Sequence, residues 1–127
     1  VIFSWLVGNA DMHLKNYSLY APEVDHYQLT PAYDLLSTTL VLPEDAEELA
    51  LTLCGKKRKL TAKHFLAAME SSGIQQRVAR NLFLRFQRVL PKWEACIADS
   101  FIPDAMKSAY IALIRQRIAL LMDHLPE

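Results

Sequence analysis

Two short aromatic-rich runs, Tyr17-Ser18-Leu19-Tyr20-Ala21 and His26-Tyr27-Gln28-Leu29-Thr30, stand on either side of Pro22-Glu23-Val24-Asp25, a four-residue connection with turn chemistry. Runs of this kind pair as a β-hairpin. The pairing constrains everything around it, because the first run begins directly after Asn16 and the second ends directly before Pro31. The polar segment Gly8-Asn9-Ala10-Asp11-Met12-His13-Leu14-Lys15-Asn16 is therefore expected to lie beside Pro31-Ala32-Tyr33-Asp34. Asp11, Asn16 and Asp34, separated in sequence, are expected to become neighbours.

Upstream of the hairpin, Ile2, Phe3, Leu6 and Val7 have the spacing of a buried helical face, with Gly8 where a helix C-cap is expected. The polar segment thus hangs from a helix end. Downstream, Leu49, Leu51 and Leu53 alternate within Glu47 to Cys54, and Gly55-Lys56-Lys57-Arg58-Lys59-Leu60 turns this run toward a short partner, which predicts a second hairpin. From Thr61 onward the spacing is helical. Thr61 is expected to cap a helix through Phe65, Leu66, Ala68 and Met69 that Gly73 closes. Ile74, Val78, Leu82, Phe86 and Leu90 recur every four residues along a longer helix, which Pro91 ends or kinks. Trp93 to Ala98 reads as a short helical segment. Pro103 suits the first turn of a final helix carrying Met106, Tyr110, Leu113, Ile114, Ile118, Leu121 and Leu125.

The expected fold class is α+β, mainly α-helical, with one or two β-hairpins near the polar segment and one domain over residues 1–127. Fourteen basic residues balance fourteen acidic ones, which argues against a surface built as a whole to attract nucleic acid. Cys54 and Cys96 are too few and too far apart for a disulfide scaffold or a CxxC metal site, so reduced thiols and a cytoplasmic location are expected. Arg115-Gln116-Arg117 interrupts the apolar run from Ala109 to Met122, so no membrane span is expected. The chain opens Val1-Ile2-Phe3-Ser4-Trp5-Leu6, without an initiator methionine or a basic n-region, and reads as a fragment that starts within a helix.

The polar segment carries the chemistry. Asp11 and Asn16 form the pattern D-x-x-x-x-N, in which a phosphotransferase places a carboxylate for the acceptor hydroxyl five residues before an amide for Mg²⁺. Asp34 would be the second carboxylate, holding the metal that bridges nucleotide phosphates. His13 is placed to steady the base, and Lys15 to offset charge on a transferred phosphate or on the carboxylates. Each residue also has a plainer reading. Asp11 and Asn16 suit a turn, Asp34 an N-cap for Leu35-Leu36-Ser37, His13 a structural histidine and Tyr33 simple packing.

Taken together, G-N-A-D-M-H-L-K-N followed by L-T-P-A-Y-D-L-L-S resembles the HipA family of kinase-like serine/threonine phosphotransferases, the toxin partners of bacterial toxin–antitoxin modules. The D-x-H-x-K-N and P-x-Y-D segments match the family's catalytic loop and metal-binding segment, and the helices from Thr61 to Glu127 resemble its C-terminal lobe. The resemblance implies a protein-kinase-like C-terminal lobe with Asp11 as catalytic base and Asn16 and Asp34 as Mg²⁺ ligands. Tyr33 and Leu35 stand where ordinary kinases carry the Phe and Gly of DFG. It further implies Mg²⁺ and ATP as cofactors, and transfer of the γ-phosphate to a protein hydroxyl on an aminoacyl-tRNA synthetase or other translation factor. A HipB-like DNA-binding antitoxin is the implied regulator. The 127 residues hold no Gly-rich phosphate loop, strand lysine or partner glutamate. The resemblance puts these before Val1, in an N-terminal ATP-binding lobe, and the chain alone is expected to have negligible kinase activity.

Two other readings compete. Gly8-Asn9 with Asp11 and His13 resembles part of a metallophosphoesterase element, but His26, His64 and His124 have no companions at ligand spacing. A non-catalytic helical interaction module that docks an antitoxin is the other. Lys56-Lys57-Arg58-Lys59 is the candidate for a DNA or antitoxin contact and otherwise a solvated turn.

Overall fold

A computed structural model describes residues 1–126, and Glu127, the last residue of the expected helical half, lies outside them. In chain order the elements are α1 (Ile2–Leu6), β1 (Leu19–Glu23), β2 (His26–Leu29), α2 (Thr38–Val41), α3 (Ala62–Ser71), α4 (Gln76–Ala98) and α5 (Asp104–Met122), with a 3₁₀ turn at Leu14–Asn16 before β1. The chain is mainly helical with one two-stranded antiparallel sheet, an α+β arrangement. No helix among the described residues is long and apolar enough to cross a membrane.

A five-residue helix such as α1 cannot hold itself in water, so its stability comes from what it packs against. Trp5 and Leu6 are fully buried with Phe65 and Met69 of α3, Ala79 and Phe83 of α4, and Ile114, Ile118 and Leu121 of α5. The Trp5 and Phe65 rings lie 4.9 Å apart and tilted. Arg117 of α5 is buried too, at 7% exposure. Its Nη1 donates to the Trp5 carbonyl at the end of α1, and its guanidinium carbon sits 5.4 Å from the Trp5 ring centroid. That carbonyl also accepts the Gly8 N–H at 3.2 Å in the turn that closes α1, so the cation serves as a second cap from a distant element.

The first hairpin forms, in a tighter shape than the sequence suggests. Leu19 pairs with Leu29, Tyr20 with Gln28 and Glu23 with His26, so Ala21 and Pro22 together oppose Tyr27 in a bulge. Proline cannot donate to a strand ladder, and the bulge absorbs it. The turn shrinks to Val24-Asp25, with Asp25 at φ +64°, a left-handed conformation that Asp tolerates. Every residue of both strands is exposed.

The second hairpin does not form. Only a single bridge, Leu53 to Lys56, and one bond from Glu48 N–H to the Lys57 carbonyl survive of it. Cys54 and Gly55 take positive φ, as a tight two-residue turn requires, but the pairing stops after that one bridge, and Lys59 at φ +53° turns the chain away from an extended path. The segment is organised by a side chain instead: the Glu48 carboxylate accepts from Trp5 Nε1 at 2.6 Å, from Lys59 N–H at 2.6 Å and from Leu60 N–H at 3.4 Å. Leu49 is buried while Leu51 is exposed, so the alternation marks no common face.

In the helical half, Thr61 caps α3 as expected. Its partner is His64, whose Nδ1 accepts from the Thr61 N–H at 3.1 Å, and Gly73 follows the helix at φ +74°. Pro91 neither ends α4 nor sets Trp93–Ala98 apart, because α4 runs unbroken from Gln76 to Ala98. Trp93 lies 5.9 Å from Phe86 and 5.6 Å, edge-on, from Phe3, so aromatic packing on both sides of Pro91 holds the helix together. Pro91 and Gln87 are exposed, and water can satisfy the carbonyl that Pro91 leaves without a donor. The buried positions are Ala79, Phe83 and Ile97, whereas Ile74 and Val78 are exposed. A strict spacing of four drifts about 40° per step around a helix of 3.6 residues per turn, so Ile74 and Val78 fall off the core while Leu82, Phe86 and Leu90 pack half-buried against it. Pro91→Ala restores the missing donor. It is expected to raise stability by about 1–3 kcal/mol, read as a higher urea midpoint at unchanged m-value.

Candidate active site

The polar segment begins where α1 stops. Gly8 turns the chain at φ +75°, and a Cβ there would sit 2.7 Å from Ser37 Oγ and 2.8 Å from Leu113 Cδ2, so conformation and space both demand glycine. The Gly8 carbonyl accepts from Thr39 N–H and from the Thr38 and Thr39 hydroxyls, each at 3.1 Å. Thr38 Oγ1 in turn accepts from Ala10 N–H at 2.8 Å. The start of α2 thereby grips the backbone of residues 8–10.

Asn9, fully buried, comes next. Its N–H donates to the Ser4 carbonyl at 2.8 Å, its Oδ1 accepts from Asp11 N–H at 3.0 Å, and its Nδ2 donates to the Asp34 carbonyl at 3.2 Å. Asp11 then points its carboxylate outward, with the side chain 63% exposed. The Asp11 carbonyl accepts from His13 N–H at 2.8 Å and from Asn16 Nδ2 at 3.2 Å. His13 Nε2 is 4.0 Å from Asp11 Oδ1, too long for a hydrogen bond, and His13 Nδ1 is buried without a partner.

The 3₁₀ turn swings Asn16 inward to 9% exposure, and its Nδ2 donates to Asp34 Oδ2 at 3.1 Å. The hairpin has closed the gap the sequence predicted: side chains 18 residues apart touch. Asp34 sits at φ +53° and caps no helix, since the N-cap of α2 is Ser37. Tyr33 adds a further tie, its hydroxyl 2.6 Å from Ser18 Oγ and donating to the Lys15 carbonyl at 3.0 Å. The Lys15 side chain is exposed and joins no ion pair among the described residues.

Asn16 Oδ1 and Asp34 Oδ1 accept no hydrogen bond among the described residues. An amide oxygen and a carboxylate side by side are hard donors. They suit Mg²⁺, which takes one or two carboxylates from a protein and completes its shell with water and phosphate oxygens. Among the described residues no three His, Cys, Asp or Glu side chains gather as a metal cluster, and His64 is held by the cap of α3. At the candidate basic turn, Lys57 pairs with Glu47 at 2.9 Å, while Lys56, Arg58 and Lys59 are exposed.

Residues 1–93 match the model of a family described as the HipA-like C-terminal domain. The chain belongs to that family. The HipA-like match ends in the last third of α4, just past Pro91, and covers the whole of the site described above. Two relatives carry names that bear on activity. The chain is 38% identical over 102 residues to a Sinorhizobium fredii protein named "Putative kinase Y4dM", covering 75% of this chain and 24% of that protein. It is 28% identical over 137 residues to a Haemophilus influenzae protein named "Putative kinase", covering 95% of this chain and 40% of that protein. The HipA-like chain thus spans a quarter to two fifths of the length of these relatives.

Sequence reasoning missed Asn9 and Thr38 as parts of this site. A buried asparagine looks like any loop asparagine on paper. Thr38-Thr39 did offer a signal, since Ser and Thr hydroxyls readily bond backbone groups, although the neighbouring Ser37 hydroxyl is buried without a partner.

Proposed function

We propose that this chain carries the base and metal-binding part of an ATP-dependent protein kinase that transfers the γ-phosphate to a serine or threonine hydroxyl. The observation that carries the reading is the contact of Asn16 Nδ2 with Asp34 Oδ2 at 3.1 Å, on a loop that also holds Asp11 out to solvent. The kinase names of the relatives support it. Asn16 and Asp34 would hold Mg²⁺, which when bound with ATP neutralises charge on the phosphates. Asp11 accepts the proton of the acceptor hydroxyl as the new O–P bond forms and the bond to the ADP oxygen breaks. His13, with Nε2 4.0 Å from Asp11 Oδ1, stands beside the base and would need to move closer to bond it, and Lys15 offers its charge to the transferred phosphate. The grip on ATP is assigned to residues elsewhere in a protein of the relatives' length. A translation factor as acceptor and a DNA-binding antitoxin as regulator are the partners that go with this reading.

A docking role without catalysis is the second reading. The observation that favours it is the hairpin, where Leu19, Val24, Tyr27 and Leu29 are each more than half exposed.

Mn²⁺, a paramagnetic stand-in for Mg²⁺, tests the metal assignment on the 127-residue chain. It is expected to broaden the amide NMR signals of residues 11–16 and 33–35 first, and Asp34→Asn is expected to weaken this binding roughly tenfold or more. Broadening spread evenly over surface carboxylates, and indifferent to Asp34→Asn, would refute the assignment.

A further inference from the structure

We infer that Asn9, braced by Thr38, is the positioning residue that sets Asp34 against the Asp11–Asn16 loop. The inference rests on the reading of Asp11, Asn16 and Asp34 given above and adds to it a residue that touches no substrate.

Asn9 bonds to both halves of the site through one amide. Its Oδ1 takes the Asp11 N–H at 3.0 Å, and its Nδ2 holds the Asp34 carbonyl at 3.2 Å, across 25 residues. Asp34 needs such a hold. At φ +53° a non-glycine residue is in a sparsely populated conformation that persists only where the surroundings enforce it. That conformation turns the Asp34 carbonyl to Asn9 while its carboxylate meets Asn16, so one residue is gripped at both ends. Asn9 can serve as the fixed point because it is itself immobilised. It has no exposure to solvent, its N–H is anchored on the Ser4 carbonyl of α1, and Thr38 Oγ1 holds the next residue, Ala10, at 2.8 Å. Thr38 also donates to the Gly8 carbonyl, so it clamps the backbone on both sides of Asn9. The remaining ties between the two segments, through Tyr33 and Asn16, involve the more exposed outer rim or the site residues themselves. In a metal site the groups that orient ligands without binding the ion typically change affinity about 10–100-fold when removed.

The test is Mn²⁺ binding by the 127-residue chain, followed through broadening of the amide signals of residues 33–35, with thermal melting recorded on every variant. Asn9→Ala is expected to weaken Mn²⁺ binding about tenfold or more. In the Asp34→Asn background the same change is expected to add nothing, because the ligand it orients has already gone. Thr38→Val, which removes the hydroxyl at constant shape, is expected to weaken binding in the same direction, and Thr38→Ser to restore it. The Thr38 pair decides the matter if Asn9→Ala does not fold. If Asp34→Asn weakens binding but neither Asn9→Ala nor Thr38→Val does so, the positioning role is refuted and the metal assignment stands. If Asp34→Asn itself has no effect, both fall together. A fall in melting temperature with Mn²⁺ affinity unchanged would show Asn9 to be structural only and would also overturn the inference.

Discussion

In a protein of the relatives' length that contains this chain, Asp11→Asn is expected to lower kcat for phosphoryl transfer from Mg²⁺-ATP by roughly 10²–10⁴-fold, with little change in KM for ATP. An amide cannot take the proton of the acceptor hydroxyl. The substitution is a clean one here, because the bonds that build the loop use main-chain atoms of Asp11. Its N–H donates to Asn9, and its carbonyl accepts from Asn16 and from the His13 N–H. The side chain is well exposed and supports nothing else at hydrogen-bond distance. The architecture should therefore survive intact, and unchanged melting together with a lost rate would identify a chemical role. Steady-state transfer from radiolabelled ATP to a serine or threonine acceptor is the measurement. A kcat within twofold of the parent would remove Asp11 from the reaction.

Arg117→Ala is expected to cost about 2–4 kcal/mol of stability, from a lost charge-assisted hydrogen bond and the cavity left behind. Burial holds the Arg117 guanidinium below its ordinary range, with the Glu48 carboxylate pulling the other way. The group stays because it satisfies the Trp5 carbonyl and lies against the Trp5 ring. Alanine leaves that carbonyl without its side-chain donor and opens a cavity between α1 and α5. Glu48 itself keeps Trp5 Nε1 and the N–H groups of Lys59 and Leu60. Arg117→Met fills most of the volume without the charge and is expected to recover part of the loss, since well-packed apolar groups often replace buried ions at little cost. Urea unfolding of the two variants separates packing from charge. Equal destabilisation by both would show that the hydrogen bond to Trp5 dominates, and no loss in either would contradict the role assigned to Arg117.

The contact that matters most in the site was legible in the sequence. Turn residues between two aromatic runs fix a hairpin, and a hairpin that starts after Asn16 and stops before Pro31 must bring its flanks together. The capped start of α3 and the left-handed Gly8 and Gly73 were legible for a similar reason, since each depends on a local rule. Features that depend on distant partners were not. Glu47 to Cys54 has the alternation of a strand, yet the Glu48 carboxylate collects three donors and the backbone follows it. Pro91 obeys the rule for a helix breaker, but Phe86 and Trp93 meet across it. Arg115 and Arg117 look equivalent on paper and lie on different sides of α5. The first is exposed and pairs with Glu94 at 2.6 Å, and the second is buried against Trp5. Asn9 belongs with these, because nothing local distinguishes a buried amide that bridges 25 residues from one that faces water.

The bond from Arg117 to Trp5 spans 112 residues. It therefore bears on the order of assembly as well as on the stability of the finished chain. In synthesis from the N-terminal side, the loop with Asp11 and Asn16 emerges well before Arg117, and the helix from which it hangs waits for Glu48 and then for α5 before its end is fastened. Contacts so far apart close late, after the local helices and the hairpin have formed. The residues proposed for phosphoryl transfer are thus synthesised ahead of the contact that fastens the helix they hang from, which couples the appearance of a competent site to completion of the fold.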